Sequence, residues 1–142
     1  MNKFYWPLEK AWQCISQQFG VVWSADSNKK HSGVDIAVPV ESPVFASSTG
    51  IVAKIGLLSA TINWGQYVIV EHDEKDYCTT YLHVDPTVKV GDRVSAGGMV
   101  GKTARIDSPH LHFGVWSGVM DKVLTPRGAL PFGVHVKPSG DP

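Results

Sequence analysis

The chain has 142 residues, with 13 Lys+Arg against 13 Asp+Glu and so no formal net charge at pH 7. A length of that order suits one domain, and a composition 43% hydrophobic and 10% aromatic supplies a packed core, which excludes intrinsic disorder. The lack of a basic excess argues against a nucleic-acid binder, and no apolar run reaches the ~18 residues of a membrane-spanning helix.

A single domain over 1–142 is expected, with residues 1–15 as a lead-in and 120–142, rich in Pro and Gly, as an irregular C-terminal strap. The first residues carry one Lys and a brief Phe4 to Leu8 apolar run broken by Glu9 and Lys10, which is not a signal peptide. Leu8 to Gln18 is expected to form a helical turn or two. Beyond it, short β-like runs alternate with turn signals. Pro43 to Ser48 leads through Thr49-Gly50 into Ile51 to Ile55, which ends at Gly56. Gln66 to Glu71, rich in β-branched residues, and Tyr77 to His83 read as a hairpin across a polar loop that includes His72. Val88 to Val94 and Met99 to Lys102 are further strands around Gly-rich turns, and His110 to Trp116 alternates like a central strand. The fold class is all-β: antiparallel sheets in a distorted sandwich or half-open barrel with a groove and little helix.

Six histidines stand out in this composition. On a strand His110 and His112 lie on one face, about 7 Å apart along the chain, an arrangement suited to a transition metal. Two polar strand residues are the ordinary alternative. His31 and Asp35 are four positions apart, with Gly33 between them and Pro39 beyond, so an imidazole and a carboxylate can converge. Zinc takes these ligand types, and a catalytic zinc site keeps a fourth position open. His83 ends a half-buried strand, where a histidine bonded to backbone is the ordinary reading. His72, set among Asp73, Glu74 and Asp76, reads as a solvated turn residue, and His135 lies in the tail.

This combination resembles the lysostaphin-like zinc metallopeptidases, bacterial and phage enzymes that cut peptide bonds in peptidoglycan. The resemblance runs from about Ser16 to Trp116: His31-x-x-x-Asp35, a lone His83 after a Tyr-rich strand, and a terminal His110-Leu111-His112-Phe113. Gln18-Phe19-Gly20, the Pro43 to Val52 segment and the glycine-bounded Val88 to Val94 hairpin occur in the family's order. It implies that His31, Asp35 and His112 hold Zn2+ and that His83 and His110 are a catalytic pair beside the metal. All five residues are present, which favours an active enzyme over an inactive wall-binding or regulatory relative. Two departures stand out: Gly114 where many relatives carry Glu, and a short Thr103 to Pro109 segment without the usual Gly-rich run.

The implied chemistry is peptide hydrolysis by metal-activated water, one histidine steering or deprotonating the water and the other assisting the oxyanion or leaving amine. The expected partner is peptidoglycan peptide, with no nucleic acid and no membrane span, and a monomer is expected. Action on the cell wall, periplasmic or extracellular, follows; without a signal peptide the route is phage-mediated lysis or excision from a longer chain. Tyr67, Tyr81, Trp64 and Trp116 are candidates for a groove as well as for the core, Trp64 being the one expected to be exposed. A cysteine nucleophile is the rival enzyme reading. Cys78 is disfavoured because its odd separation from His83 puts the two on opposite strand faces, and Cys14 has no nearby His. Cys14 and Cys78 are compatible with a disulfide or with two buried thiols. A biotinyl- or lipoyl-type carrier domain lacks its lysine turn here and leaves the histidines unexplained.

Overall fold

Residues 5–9, 15–17, 22–24, 29–30, 34–72, 77–117 and 125–128 are described by the structure, a computed structural model. Among them every regular element is a strand: β1 Ile15–Gln17, β2 Val22–Ser24, β3 Lys29–Lys30, β4 Val34–Ala37, β5 Pro43–Phe45 and β6 Gly50–Leu57. There follow β7 Gln66–His72, β8 Tyr77–Pro86, β9 Arg93–Val94, β10 Met99–Thr103, β11 His110–Ser117 and β12 Thr125–Gly128. The helical turn expected within Leu8 to Gln18 is overturned at residues 15–17, which form β1 and pair with β4, while 10–14 lie outside the described residues. Of Val88 to Val94, only β9 is strand. The preceding residues form a turn in which Lys89 N–H donates to Asp92 Oδ2 and Asp92 N–H to the Lys89 carbonyl.

Ten strands join in one antiparallel sheet, in the order β1-β4-β11-β8-β7-β6-β9, with β12 beside β11. β10 pairs with both β8 and β5, so the sheet branches rather than dividing into two sheets, and its path does not close into a barrel. β2 and β3 form a separate pair. Two-residue periodicity explains why these segments become strands. In β4 Val34 and Ile36 are buried while Asp35 and Ala37 are partly exposed, and in β7 Val68 and Val70 point to the core. Leu111, Phe113 and Val115 of β11 join them, with Tyr81 packed against Phe113 at a ring-centroid distance of 5.5 Å. Each such side chain contributes ~1.5–3 kcal/mol of burial. Part of the lead-in docks on this core: Tyr5 N–H donates to the Ser47 carbonyl, Phe45 N–H to the Pro7 carbonyl, and Trp6 and Leu8 are buried.

The core face also holds a polar chain. His72 is not a solvated loop residue: it ends β7, is 1% exposed and stacks on Tyr77 at 4.7 Å. Its Nδ1–H donates to the Thr49 carbonyl at 3.1 Å, which leaves Nε2 to accept from Thr79 Oγ1–H at 2.7 Å. Tyr81 O–H then donates to Thr79 Oγ1 at 2.7 Å and itself accepts from Ser47 N–H at 2.9 Å. The overriding signal is parity: His72 continues the alternation of Val68 and Val70, and tertiary burial wins over the acidic residues that follow it.

Candidate active site

The opposite face of the same sheet gathers four of the five expected site residues. Antiparallel pairing of β4 with β11 sets His112 directly across from Asp35 and His110 across from Ala37. Since Leu111 and Phe113 take the core face, both histidines take the other, with Asp35 opposite one and diagonal to the other. The result is convergence of groups 77 residues apart in the chain: His112 Nδ1 lies 3.1 Å from Asp35 Oδ1. His110 Nε2 lies 3.7 Å from the same oxygen. The side chains of His112, Asp35 and His110 are 11%, 18% and 23% exposed, desolvated enough to strengthen electrostatics yet open to a reactant.

The ring of His110 is fixed from behind. Its Nδ1–H donates to the Ser108 carbonyl at 2.9 Å, so the neutral imidazole carries its lone pair on Nε2. Ser108 has a φ of 52°, and His83 one of 70°; with Glu41 they are the described non-glycine residues at positive φ. Backbone of this kind is uncommon and concentrates at functional sites.

His83 owes its conformation to a β-bulge. Against β7 the register runs from Tyr67↔Leu82 to Gln66↔Val84, so His83 is the extra residue. Tyr81 and Val84, three positions apart, are accordingly both fully buried, and His83 is turned out toward the site. The bulge falls where β8 changes partners, from β11 at Leu82 to β10 at Val84, and Ala104 N–H donates to the His83 carbonyl at 2.9 Å. The His83 and His110 rings lie 4.4 Å apart, tilted by 58°. His83 Nδ1–H donates to the Trp64 carbonyl at 2.7 Å, leaving its Nε2 as an acceptor. Burial lowers the pKa of His83 below 6.5, opposed by the Trp64 carbonyl and reinforced by the neighbouring His110.

His31 lies outside the described residues, as do His135 and Cys14. Among the described residues no three His, Cys, Asp or Glu side chains close a metal site. The two donors that do converge fit one: an imidazole nitrogen and a carboxylate oxygen separated by 3.1 Å, against about 3.3 Å between ligands ~2.0–2.1 Å from a tetrahedral zinc. The hydrogen bond between them holds the pair in place, and its proton is the one a metal would displace.

A row of opposed residues extends this face: Asp35, His112, Leu82, Tyr67 and Gly56, each set across from the next on adjacent strands. At ~4.8 Å per strand the row spans about 19 Å. The Tyr67 ring lies over Gly56, where even a Cβ would meet the phenol oxygen at 2.6 Å. Beyond it a cavity of about 380 Å³ is lined by Leu57, Ser59, Asn63, Gly65, Gln66 and Asp85, among others. Trp64 is 48% exposed as expected, whereas Tyr81 is fully buried and belongs to the core. Gly114 sits across from Thr80, two residues beyond His112 on the same strand face.

The bulge at His83 cancels the parity argument against Cys78. Burial excludes it instead: Cys78 is fully buried, and desolvation, aided by the Glu71 charge, pushes its thiol up to about 12. A nucleophilic cysteine needs the opposite.

The sequence profile of peptidase family M23 matches residues 29–126, which contain Asp35, His83, His110 and His112 as well as His31. The chain belongs to peptidase family M23. A peptidoglycan DD-endopeptidase, ShyA of Vibrio cholerae, is 35% identical over 118 residues, covering 76% of this chain and 26% of that protein. This M23 chain therefore spans about a quarter of the length of that curated relative. In three dimensions it is similar to a zinc-containing peptidase from Vibrio cholerae, with a TM-score of 0.69 and 30% identity over 87% of this chain and 39% of the other. It is also similar to the catalytic domain of lysostaphin from Staphylococcus simulans, with a TM-score of 0.66 and 25% identity over 80% and 88% of the two chains. The family match begins just before His31, and the site geometry lies wholly within the matched region.

Proposed function

We propose that this M23 chain is a zinc-dependent endopeptidase that hydrolyses peptide bonds in peptidoglycan stem or crosslink peptides. The observation that carries the reading is the convergence of Asp35 Oδ1 and His112 Nδ1 at 3.1 Å, flanked on the same face by two imidazoles whose Nε2 atoms are left as acceptors. Asp35, His112 and His31 are the residues that would hold the metal. Zinc, when bound, supplies Lewis acidity and makes water a nucleophile at neutral pH.

His110 and His83 do the proton work. Each has Nδ1–H committed to a backbone carbonyl, so each offers Nε2 to a proton released by attacking water. The carboxylate of Asp35, 3.7 Å from His110 Nε2, stabilises the imidazolium that results there. One of the two rings then returns a proton to the leaving amine, and their 4.4 Å separation lets both reach the same reacting centre. The row through Leu82 and Tyr67 gives an extended peptide a floor across the sheet, consistent with action on the cell wall. Zinc dependence and substrate are tested together by incubating purified walls of known crosslink type with metal-depleted and zinc-restored protein. Mass analysis of released fragments should show cleavage of a peptide bond only in the restored sample. Equal release by both samples, or none from any wall type, overturns the reading.

A further inference from the structure

We propose that Gly65 is a positioning residue: its left-handed backbone delivers the Trp64 carbonyl to His83 Nδ1 and so fixes which nitrogen of His83 faces the reacting groups. This rests on the reading of His83 as part of the catalytic pair. A carbonyl oxygen only accepts, so the 2.7 Å contact puts the proton on Nδ1 and the lone pair on Nε2. The bulge turns His83 outward, and this hydrogen bond then holds the ring at its back edge.

Two independent features make glycine necessary here. Gly65 has a φ of 78°, which L residues rarely adopt. A Cβ there would also lie 2.9 Å from the Ala104 Cβ and 3.3 Å from the His83 Cα, so a side chain would lift the loop off His83 and carry the Trp64 carbonyl with it. The loop is tied on both sides of the step. Leu58 N–H donates to the Gly65 carbonyl, Trp64 N–H to the Ile62 carbonyl, and Asn63 Nδ2–H to the Arg105 carbonyl. Arg105 lies on the connection from β10 to β11, one residue past the Ala104 that bonds the His83 carbonyl, so loop, bulge and connection lock one another. Trp64 contributes its backbone to this, since its indole is 48% exposed. Gly97 provides the contrast: its φ is 82°, yet a Cβ added there would meet nothing within 4 Å, so it serves only its turn.

The test compares zinc-loaded wild type, Gly65→Ala and Gly97→Ala by imidazole ¹⁵N NMR, zinc content and steady-state kinetics on a soluble crosslinked peptidoglycan dimer. The wild type should show neutral His83 protonated at Nδ1. Gly65→Ala should lose that signature and about 10- to 100-fold in kcat, with KM within about twofold and zinc retained. Gly97→Ala, with similar backbone strain, should keep both signature and kcat. Trp64→Ala should keep the signature. If Gly65→Ala does not fold, Asn63→Ala loosens the same loop, and a mixed His83 tautomer with a few-fold lower kcat is expected. A wild-type His83 protonated at Nε2, a folded Gly65→Ala with undiminished kcat, or an equal loss in Gly97→Ala overturns the proposal. Should the wild type cleave no wall peptide, the functional reading fails while the tautomer comparison still decides the role of Gly65.

Discussion

Two sets of histidines occupy opposite faces of one sheet, and their hydrogen bonds are spent differently. On the core face His72 commits both nitrogens, Nδ1 to the Thr49 carbonyl and Nε2 to the Thr79 hydroxyl, in a directed chain that ends at Ser47 N–H. On the open face His83 and His110 each commit Nδ1–H to a backbone carbonyl and leave Nε2 with its lone pair, that of His110 lying 3.7 Å from Asp35 Oδ1. A closed network specifies structure, whereas a half-spent one is available for chemistry. The same residue type is thus closed into packing on one face and left with an open ring nitrogen on the other.

The largest effect should come from the converging donors. Asp35→Ala or His112→Ala is expected to abolish both zinc retention and fragment release, a loss beyond about a thousandfold, read by metal analysis beside a wall-digestion assay. Next, His83→Ala and His110→Ala should lower kcat by about 10²–10⁴-fold while zinc stays bound. Loss of metal in either variant would break the division between holders and proton carriers. His72→Ala should act in the opposite sense. It removes the acceptor of the Thr79 O–H and the donor to the Thr49 carbonyl in a tight core, costing about 2–4 kcal/mol in urea unfolding, with kcat per folded molecule unchanged.

The smallest effect concerns pH. His83 has its pKa lowered by burial, so the folded state binds its proton less readily than the unfolded chain does. Its neutral form therefore favours folding above 6.5, and that advantage is lost as pH falls through the lower folded value. Unfolding free energies of wild type and His83→Ala should accordingly run parallel above pH 6.5 and converge below it, the wild type losing more. A constant gap at all pH values would show that burial does not penalise the charged ring.

Some of the site is legible without coordinates. His110-Leu111-His112 on a period of two has to put both imidazoles on one face. Other features are not. The solvated-turn reading of His72 weighs local polarity, but the ring's position in β7 is set by the pairing of Gly50 with His72 and by the space beside Tyr77. Counting residues misjudges the face of His83 against Cys78 because a bulge inserts one residue into the count, and nothing in Tyr77 to His83 announces it. The role of Gly65 is equally hidden, since a glycine beside an exposed Trp reads as any turn.

By itself the sequence determined the all-β class, several of the strand segments between Pro43 and Trp116 and the chemical identity of the candidate residues, because period, turn chemistry and side-chain type are local properties. Only the tertiary structure decided that Asp35 meets His112, that β8 bulges at the point where it exchanges β11 for β10, and that a backbone carbonyl rather than a side chain orients His83. Those outcomes depend on the register between strands distant in sequence, and register is fixed when a whole face is buried at once rather than residue by residue.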